Sequence, residues 1–564
     1  MSTAAPILME PRFLPDPGAR SLPMSTVQST KDYYRYCPGE EHVKISNAIC
    51  RGRRRSNFPK CTGCQFNDDQ RGGDPHNYVQ AQVAPPETIR VSNGQVVEKV
   101  NDATKIGTLF KLSDISGVYP YPLSDDAAWR IGHAAAQYLR SKLRGFDRAD
   151  PIARSVVVGR DTRGHSLPLE DALIEGMRST GTDVITLGEV GTPHLYYVVN
   201  HLGACGGVQV TSGNGPINQN GFRICGPKAT PIGMDTGLSS IRDIAIRVPR
   251  HFTGASSRRI TKDFSELYCK HIRAFVRTDM RLPEPIGIVV DASNGTAAKW
   301  LPLIFRGNRN VRLVRVNFEN KGEFDHEPNP LLAKNTRDLR TLVRTEKAAF
   351  GIGFDSSEER CVFIDDKGRT IRPDHMIALL ACAMLERDSA AQIIFDHRAS
   401  SIVDEEIVRA GGIPVRERIG AAYMKRTMAE RDAAFGGDLS GRFYFRSAAF
   451  CESAVIAMIQ VINLLINSGK PLSELTKPLQ RYSVSGEIKY LCPDTHEALR
   501  NLSNVHRSAT IEHLDGLTFR YPDWWFNVRP NPAERSIQLT LEAKNRKLVD
   551  ERLEELSPLL GSRA

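Results

Sequence analysis

The chain has 564 residues, of which 41% are hydrophobic and 25% are charged, proportions typical of a soluble globular protein. It contains no stretch of the roughly 18–20 uninterrupted apolar residues that a membrane-spanning helix needs. The opening segment MSTAAPILMEPRF has no basic region followed by an apolar one, as a secretory signal would. From these two observations we expect a cytoplasmic protein. The net charge of +10 is a mild excess for this length, short of that of a nucleic-acid-binding protein, and fits either a solvated surface or attraction for anions such as phosphates.

The N-terminal segments differ in composition from the rest of the chain. Residues 1–30 are rich in Pro, Ser and Thr without hydrophobic periodicity, which predicts disorder, and 71–104 resemble a linker. Residues 31–70 are predicted to form a zinc module, because four thiolates can close a tetrahedral site in a segment too poor in apolar residues to build a core. The predicted ligands are Cys37, Cys50, Cys61 and Cys64, with His42 as the substitute. A flexible tail with incidental cysteines is the open alternative.

From about residue 105, short apolar runs rich in β-branched residues alternate with helical patterns, which is typical of α/β domains. Each run ends in a polar loop with Gly or Asp, and ligands of open α/β sheets bind at these carboxyl ends. The runs include SVVVGRD (155–161), GGVQVTS (206–212), PIGIVVDASNG (285–295), AAFGIGFD (348–355), QIIFDHRAS (392–400) and AFGGDLSG (434–441). Residues 480–564 have a different sequence pattern from the preceding segments, which predicts a smaller α+β domain.

Four loops resemble motifs of the α-D-phosphohexomutases, the phosphomannomutase/phosphoglucomutase family. VQVTSGNGPINQNGF (208–222) resembles the phosphoserine loop, and GFDSSEER (353–360) resembles the metal loop D-G-D-x-D-R. GGDLSGR (436–442) resembles the sugar loop, and WWFNVRPNPAER (524–535) the terminal phosphate loop. The resemblance implies three similar mixed-sheet α/β domains and a C-terminal α+β domain around one cleft. We predict their bounds as 105–248, 255–369, 370–478 and 480–564.

In this family a phosphoserine gives its phosphoryl group to a hexose phosphate, while Mg²⁺ and acid/base groups assist the transfer. The ungapped match places Gly213 at the nucleophilic serine and Asn214 at the neighbouring histidine, with Ser212 one position early. Adjacent side chains of an extended segment point in opposite directions, so Ser212 replaces the lost hydroxyl only if the backbone rearranges. Arg223 stands at the family's lysine and keeps the charge without acting readily as a base.

The binding positions implied by the resemblance are also altered. Asp355, Ser357 and Glu359 stand at the three aspartates of the metal loop. Mg²⁺ requires near-octahedral geometry, so we expect its binding to be weak or absent. The positions implied for phosphate and sugar are Arg360, Asp438, Ser440, Arg442, Arg529 and Glu534.

The sequence leaves three functional hypotheses open. The first is a catalytically impaired protein that binds a hexose phosphate such as glucose or mannose 1- or 6-phosphate. The second is an active mutase that moves the phosphoryl group between C1 and C6 by using Ser212. The third is a scaffold that binds a protein partner through the N-terminal cysteine module.

Overall fold

The computed structural model describes residues 102–144, 149–250, 257–277, 282–531 and 534–564. It also describes two short antiparallel strand pairs in a separate unit, residues 1–99: Tyr34–Tyr36 with Lys44–Ser46, and Ile89–Arg90 with Val96–Val97. The predicted zinc ligands and the predicted disorder of residues 1–30 lie outside the described residues, so both stay predictions. All other described helices and strands belong to the second unit, residues 100–564.

Domain I is built on a six-stranded sheet in which four neighbouring strands are parallel and the last two pairings are antiparallel. From edge to edge its strands are Arg259–Thr261, Val184–Glu189, Val156–Arg160, Gly206–Val210, Gln219–Cys225 and Ile115–Val118. Its α-helices are Asp102–Leu109, Asp125–Ser141, Ser166–Arg178, Thr192–Leu202 and Ser239–Arg247.

Domains II and III repeat this arrangement with smaller sheets. The strands of domain II are, in spatial order, Val311–Val316, Ile286–Asp291, Phe350–Phe354 and Cys361–Asp365. Those of domain III are Ile413–Glu417, Gln392–Asp396, Phe435–Gly437, Phe443–Phe445 and Cys451–Glu452. The α-helices of domain II are Ser265–Arg273, Ala297–Ile304 and Arg337–Thr345. Those of domain III are Pro373–Leu385, Ser401–Arg409, Ala421–Glu430, Ala454–Ser468 and Leu472–Thr476.

Domain IV has an entirely antiparallel sheet. Its strands run in the order Thr510–Glu512, Leu517–Arg520, Trp524–Asn531, Ser536–Ala543, Ser483–Leu491 and Ser562–Arg563. Two helices, Thr495–Val505 and Arg546–Leu560, pack against this sheet. Three mixed-sheet α/β domains followed by an α+β domain confirm the predicted fold class.

Packing within domain I depends on two glycines. Helices Asp125–Ser141 and Ser166–Arg178 approach so closely that a Cβ at Gly132 or Gly176 would overlap backbone of the opposite helix. The first helix begins at Ser124, whose hydroxyl accepts from the backbone N–H of Ala127 and satisfies a donor that would otherwise lack an intrahelical partner. Close packing and a capped start therefore both follow from local sequence.

The hydrophobic core is continuous between domains II and III. One cluster contains the fully buried side chains of Trp300, Phe350, Phe395 and Phe435. Among the described residues, no single helix is long and apolar enough to cross a membrane, and one bent pair, Ala454–Ser468 with Leu472–Leu479, passes that test by length and composition. The first helix of this pair is buried in the shared core.

Each α/β domain ends its parallel strands with an antiparallel hairpin, and this repeat positions the candidate site. The last paired residues before each hairpin loop are Val210 with Phe222, Phe354 with Cys361, and Gly437 with Phe443. The three loops between these pairs are hereafter the serine-position loop (211–221), the metal-position loop (355–360) and the sugar-position loop (438–442). Equivalent loops of three domains are therefore presented by the same element of the fold.

Candidate functional site

The three hairpin loops contact one another directly. The Ser356 hydroxyl lies 2.8 Å from the Gly213 carbonyl oxygen, which joins the serine-position and metal-position loops. The metal-position and sugar-position loops are joined by Arg442 Nη2, 3.3 Å from Glu359 Oε2, and the N–H of Cys361, the residue directly after the metal-position loop, donates to the Gly441 carbonyl at 2.9 Å. Residues far apart in sequence are thereby brought into one buried cluster.

Gly213 faces the centre of this cluster. A Cβ at this position would lie 3.0 Å from Arg223 Nη2, 3.2 Å from Arg360 Nη1 and 3.4 Å from Asp355 Oδ2. Its φ of +57° is a left-handed conformation that glycine adopts without steric cost. The residue at the implied nucleophile position thus faces the site, but it is a glycine and has no side chain.

Ser212 points elsewhere. Its hydroxyl lies so close to Gly215 that a Cβ on that residue would overlap it. Arg163 holds the loop in this conformation, because its Nη2 donates to the carbonyls of Gly213 and Gly215 and its Nη1 to that of Pro216, each at 2.9 Å. Rotating the loop to exchange Ser212 with Gly213 would break these charge-assisted hydrogen bonds.

The metal-position loop is buried, and its donors fit Mg²⁺ poorly. Asp355 Oδ1 accepts from the backbone N–H groups of Ser357 and Glu359, at 3.2 and 2.9 Å, whereas Oδ2 has no hydrogen-bond partner among the described residues. Ser357 supplies a neutral hydroxyl where a carboxylate is expected. In the described part of the chain, no group of three or more His, Cys, Asp or Glu side chains is arranged to hold a metal ion.

Arginines contact Glu359, which stands at the third aspartate of the implied metal loop. Glu359 Oε1 forms an ion pair with Arg223 Nε and accepts from the Thr192 hydroxyl at 2.9 Å, and Glu359 Oε2 lies 3.3 Å from Arg442 Nη2. Burial alone would raise the pKa of Glu359, but the positive charges of Arg223, Arg442 and Arg360 outweigh it and lower the pKa well below its usual range. Burial and the negative charge of Glu359 raise the pKa of Asp355.

Arg360 is a buried cation with unused donors. Its side chain is 10% exposed, and its Nε and Nη1 have no hydrogen-bond partner among the described residues. Nη1 lies 3.5 Å from Asp355 Oδ2, too long for a good hydrogen bond. Burial and the adjacent charge of Arg442 lower the pKa of Arg360. An anion beside it would stabilise a buried guanidinium whose nitrogens lack hydrogen bonds.

In the sugar-position loop the polar side chains are bonded to one another. The Ser440 hydroxyl donates to Asp438 Oδ1 at 2.5 Å and accepts from Arg442 Nη1 at 3.1 Å. The Tyr444 hydroxyl donates to Asp438 Oδ2 at 2.8 Å. Asp438 is thereby fixed by neighbours, and Arg442 extends from this loop to Glu359.

The two positions implied in domain IV make their contacts within that domain. Arg529 donates to Gln538 and lies 3.8 Å from Glu487. Glu534 is 56% exposed and pairs with Lys489 at 2.6 Å. The structure therefore brings together the site residues of domains I to III, and gives Arg529 and Glu534 other partners.

Three structural partners of the site were not singled out from the sequence. Asp114 accepts from Arg223 Nη1 at 2.8 Å, and Thr192 bonds to Glu359. Asp161 accepts from Arg163, from Thr211 Oγ1 at 2.7 Å and, at 3.0 Å, from Ser356. Of the three, only Asp161 lies in a segment noted in the sequence, where it ends the apolar run SVVVGRD (155–161).

Family models match most of the chain. Those described as phosphoglucomutase/phosphomannomutase, alpha/beta/alpha domains I, II and III match residues 107–248, 266–368 and 372–482. The chain therefore belongs to the phosphoglucomutase/phosphomannomutase family, as its loops predict.

Named relatives and solved structures agree with this assignment. The chain is 32% identical over 456 residues to a protein of Xanthomonas campestris pv. campestris named "Phosphohexose mutases", covering 80% of this chain and 98% of that protein. It is 31% identical over 447 residues to the phosphomannomutase of Escherichia coli (strain K12), covering 78% and 95%. A family protein from Burkholderia thailandensis shares the fold, with a TM-score of 0.70 and 24% identity over 80% of this chain and 97% of that one.

Proposed function

We propose that this protein binds a hexose phosphate in the site formed by domains I to III, and that phosphoserine-dependent mutase turnover is absent or very low. One observation carries the proposal: a side chain at position 213 would point towards Arg223, Arg360 and Asp355, and a phosphorylated serine would have to occupy this position. Without a hydroxyl there, the protein has no acceptor for the phosphoryl group at this point.

Retention of ligand binding is supported by the donors that remain. Arg360 Nε and Nη1 and Arg442 Nε are buried and have no hydrogen-bond partner among the described residues. Guanidinium groups match phosphate oxygens geometrically and need no catalytic machinery to bind them. Glucose 1-phosphate and mannose 1-phosphate are the proposed ligands, by likeness to relatives named as phosphomannomutases and phosphohexose mutases.

Two measurements on the full-length protein test the proposal. Intact mass should show no covalent phosphate on the resting protein, and an assay with Mg²⁺ and a hexose 1,6-bisphosphate activator should show turnover far below the roughly 1–1000 per second of ordinary enzymes. Calorimetry with the two hexose 1-phosphates should show binding. Ordinary turnover that Ser212→Ala abolishes would establish Ser212 as the nucleophile and refute the proposal.

The N-terminal module remains a separate proposal, together with the cytoplasmic location. Stoichiometric zinc in the purified protein, and loss of protease resistance in residues 31–70 on chelation, would support a metal-stabilised module available to a protein partner. Protein that contains no zinc would refute it.

A further inference from the structure

The metal-position loop has lost one of the three carboxylates implied for its metal, and three arginines lie against the other two. Of its three acidic positions, one is Ser357, and Glu359 has both carboxylate oxygens engaged by Arg223, Thr192 and Arg442. Mg²⁺ binding would require Glu359 to give up these partners. The free carboxylate oxygen beside Gly213 is Asp355 Oδ2, because Glu358, whose two oxygens also have no hydrogen-bond partner among the described residues, lies against Gly191 instead. These residues do not fit an octahedral Mg²⁺ site.

The guanidinium groups instead border the volume that Gly213 leaves open. A side-chain atom at that position would lie within 3.2 Å of both Arg223 Nη2 and Arg360 Nη1. Arg442, from the third domain, places its Nη2 3.3 Å from Glu359 Oε2, the oxygen that Arg360 Nη1 approaches at 4.0 Å. The cations thus come from three domains, Arg223 from the strand Gln219–Cys225 and the other two from the metal-position and sugar-position loops, and they meet beside this volume. The Asp355 carboxylate borders the same volume and is opposed by Arg360 at 3.5 Å.

We propose that the guanidinium groups of Arg223, Arg360 and Arg442 take the place of the divalent cation, so that the phosphate of a hexose phosphate binds beside Gly213 without Mg²⁺. The proposal rests on the proposed function and specifies the chemistry of the same site. The ligand's phosphate oxygens accept hydrogen bonds from Arg360 Nε and Nη1, which have no acceptor in the described part of the chain. Buried guanidinium nitrogens without hydrogen bonds are costly, and phosphate oxygens are strong acceptors that fit them.

The experiment is calorimetric titration of the full-length protein with glucose 1-phosphate, mannose 1-phosphate and inorganic phosphate, each in excess EDTA and in millimolar Mg²⁺. We expect the dissociation constant of each bound ligand to agree within about twofold between the two conditions, as binding through guanidinium groups alone requires. Binding that needs Mg²⁺ would overturn this inference and leave the proposed function standing. Absence of binding in both conditions would overturn both.

Two arginine variants test the proposal independently of the comparison between EDTA and Mg²⁺. Arg360→Gln should weaken binding about tenfold or more in EDTA, because a charge-assisted hydrogen bond is lost from a buried site. Arg369→Gln is the matched control, since Arg369 lies in the same domain and pairs with Asp365 at 2.7 Å with a half-exposed side chain. Equal affinities for the two variants would overturn the proposal.

Discussion

Restoring the lost hydroxyl by Gly213→Ser is expected to damage the protein rather than revive it. The backbone at this position has φ +57°, and a non-glycine residue held there costs on the order of 1–3 kcal/mol. The new Cβ would also press on Arg223 Nη2 at 3.0 Å and Arg360 Nη1 at 3.2 Å. These groups cannot retreat freely, because Arg223 is held by Asp114 and Glu359.

Gly188→Ser separates the cost of backbone strain from the cost of crowding against neighbouring side chains. Gly188 has a similar φ of +69°, but a Cβ there would meet nothing within 4 Å. Urea unfolding should therefore show a loss of about 1 kcal/mol for Gly188→Ser from backbone strain alone, and a larger loss for Gly213→Ser. The excess measures crowding in the arginine cluster.

Activity and binding complete the test. Gly213→Ser alone should recover little turnover, because residues that act as one catalytic unit are strongly non-additive. It should also weaken binding of glucose 1-phosphate, since its side chain occupies the volume assigned to the phosphate. Turnover at an ordinary enzyme rate in this single variant, or stability equal to that of Gly188→Ser, would refute the reasoning.

Three further predictions concern metal, pH and packing. Ser357→Asp combined with Glu359→Asp should strengthen Mg²⁺ binding measured by calorimetry, and tight binding by the unmodified protein would contradict the account of the loop. Burial lowers the pKa of His326, but the hydrogen bond and charge of Asp291 outweigh it and raise the pKa above 6.5. Its contribution to stability should thus be complete below pH 6.5 and be lost as the pH rises through the folded-state pKa; an unchanged pH profile of urea unfolding in His326→Gln would contradict this. Gly176→Ala should destabilise by about 1–3 kcal/mol, because its Cβ would overlap the neighbouring helix, and a neutral effect on thermal unfolding would refute that packing.

The sequence by itself determined the fold class and the positions of the three hairpin loops. Alternating apolar runs and helical patterns specify α/β domains because burial of side chains is a local, periodic requirement. The substitutions at Gly213, Ser357 and Glu359 were also readable, since each falls inside a loop whose surrounding motif survives. The expectation of weak metal binding followed from chemistry at these positions alone.

The tertiary structure decided which groups meet. Arg223 is paired with Asp114, Glu359 with Thr192, and Arg442 with Glu359, contacts that span 109, 167 and 83 residues. It also directs Gly213 rather than Ser212 towards the arginines, and it gives Arg529 a partner within its own domain. No local pattern encodes these contacts, because the direction of a charged side chain depends on the neighbours that three separate domains bring to it.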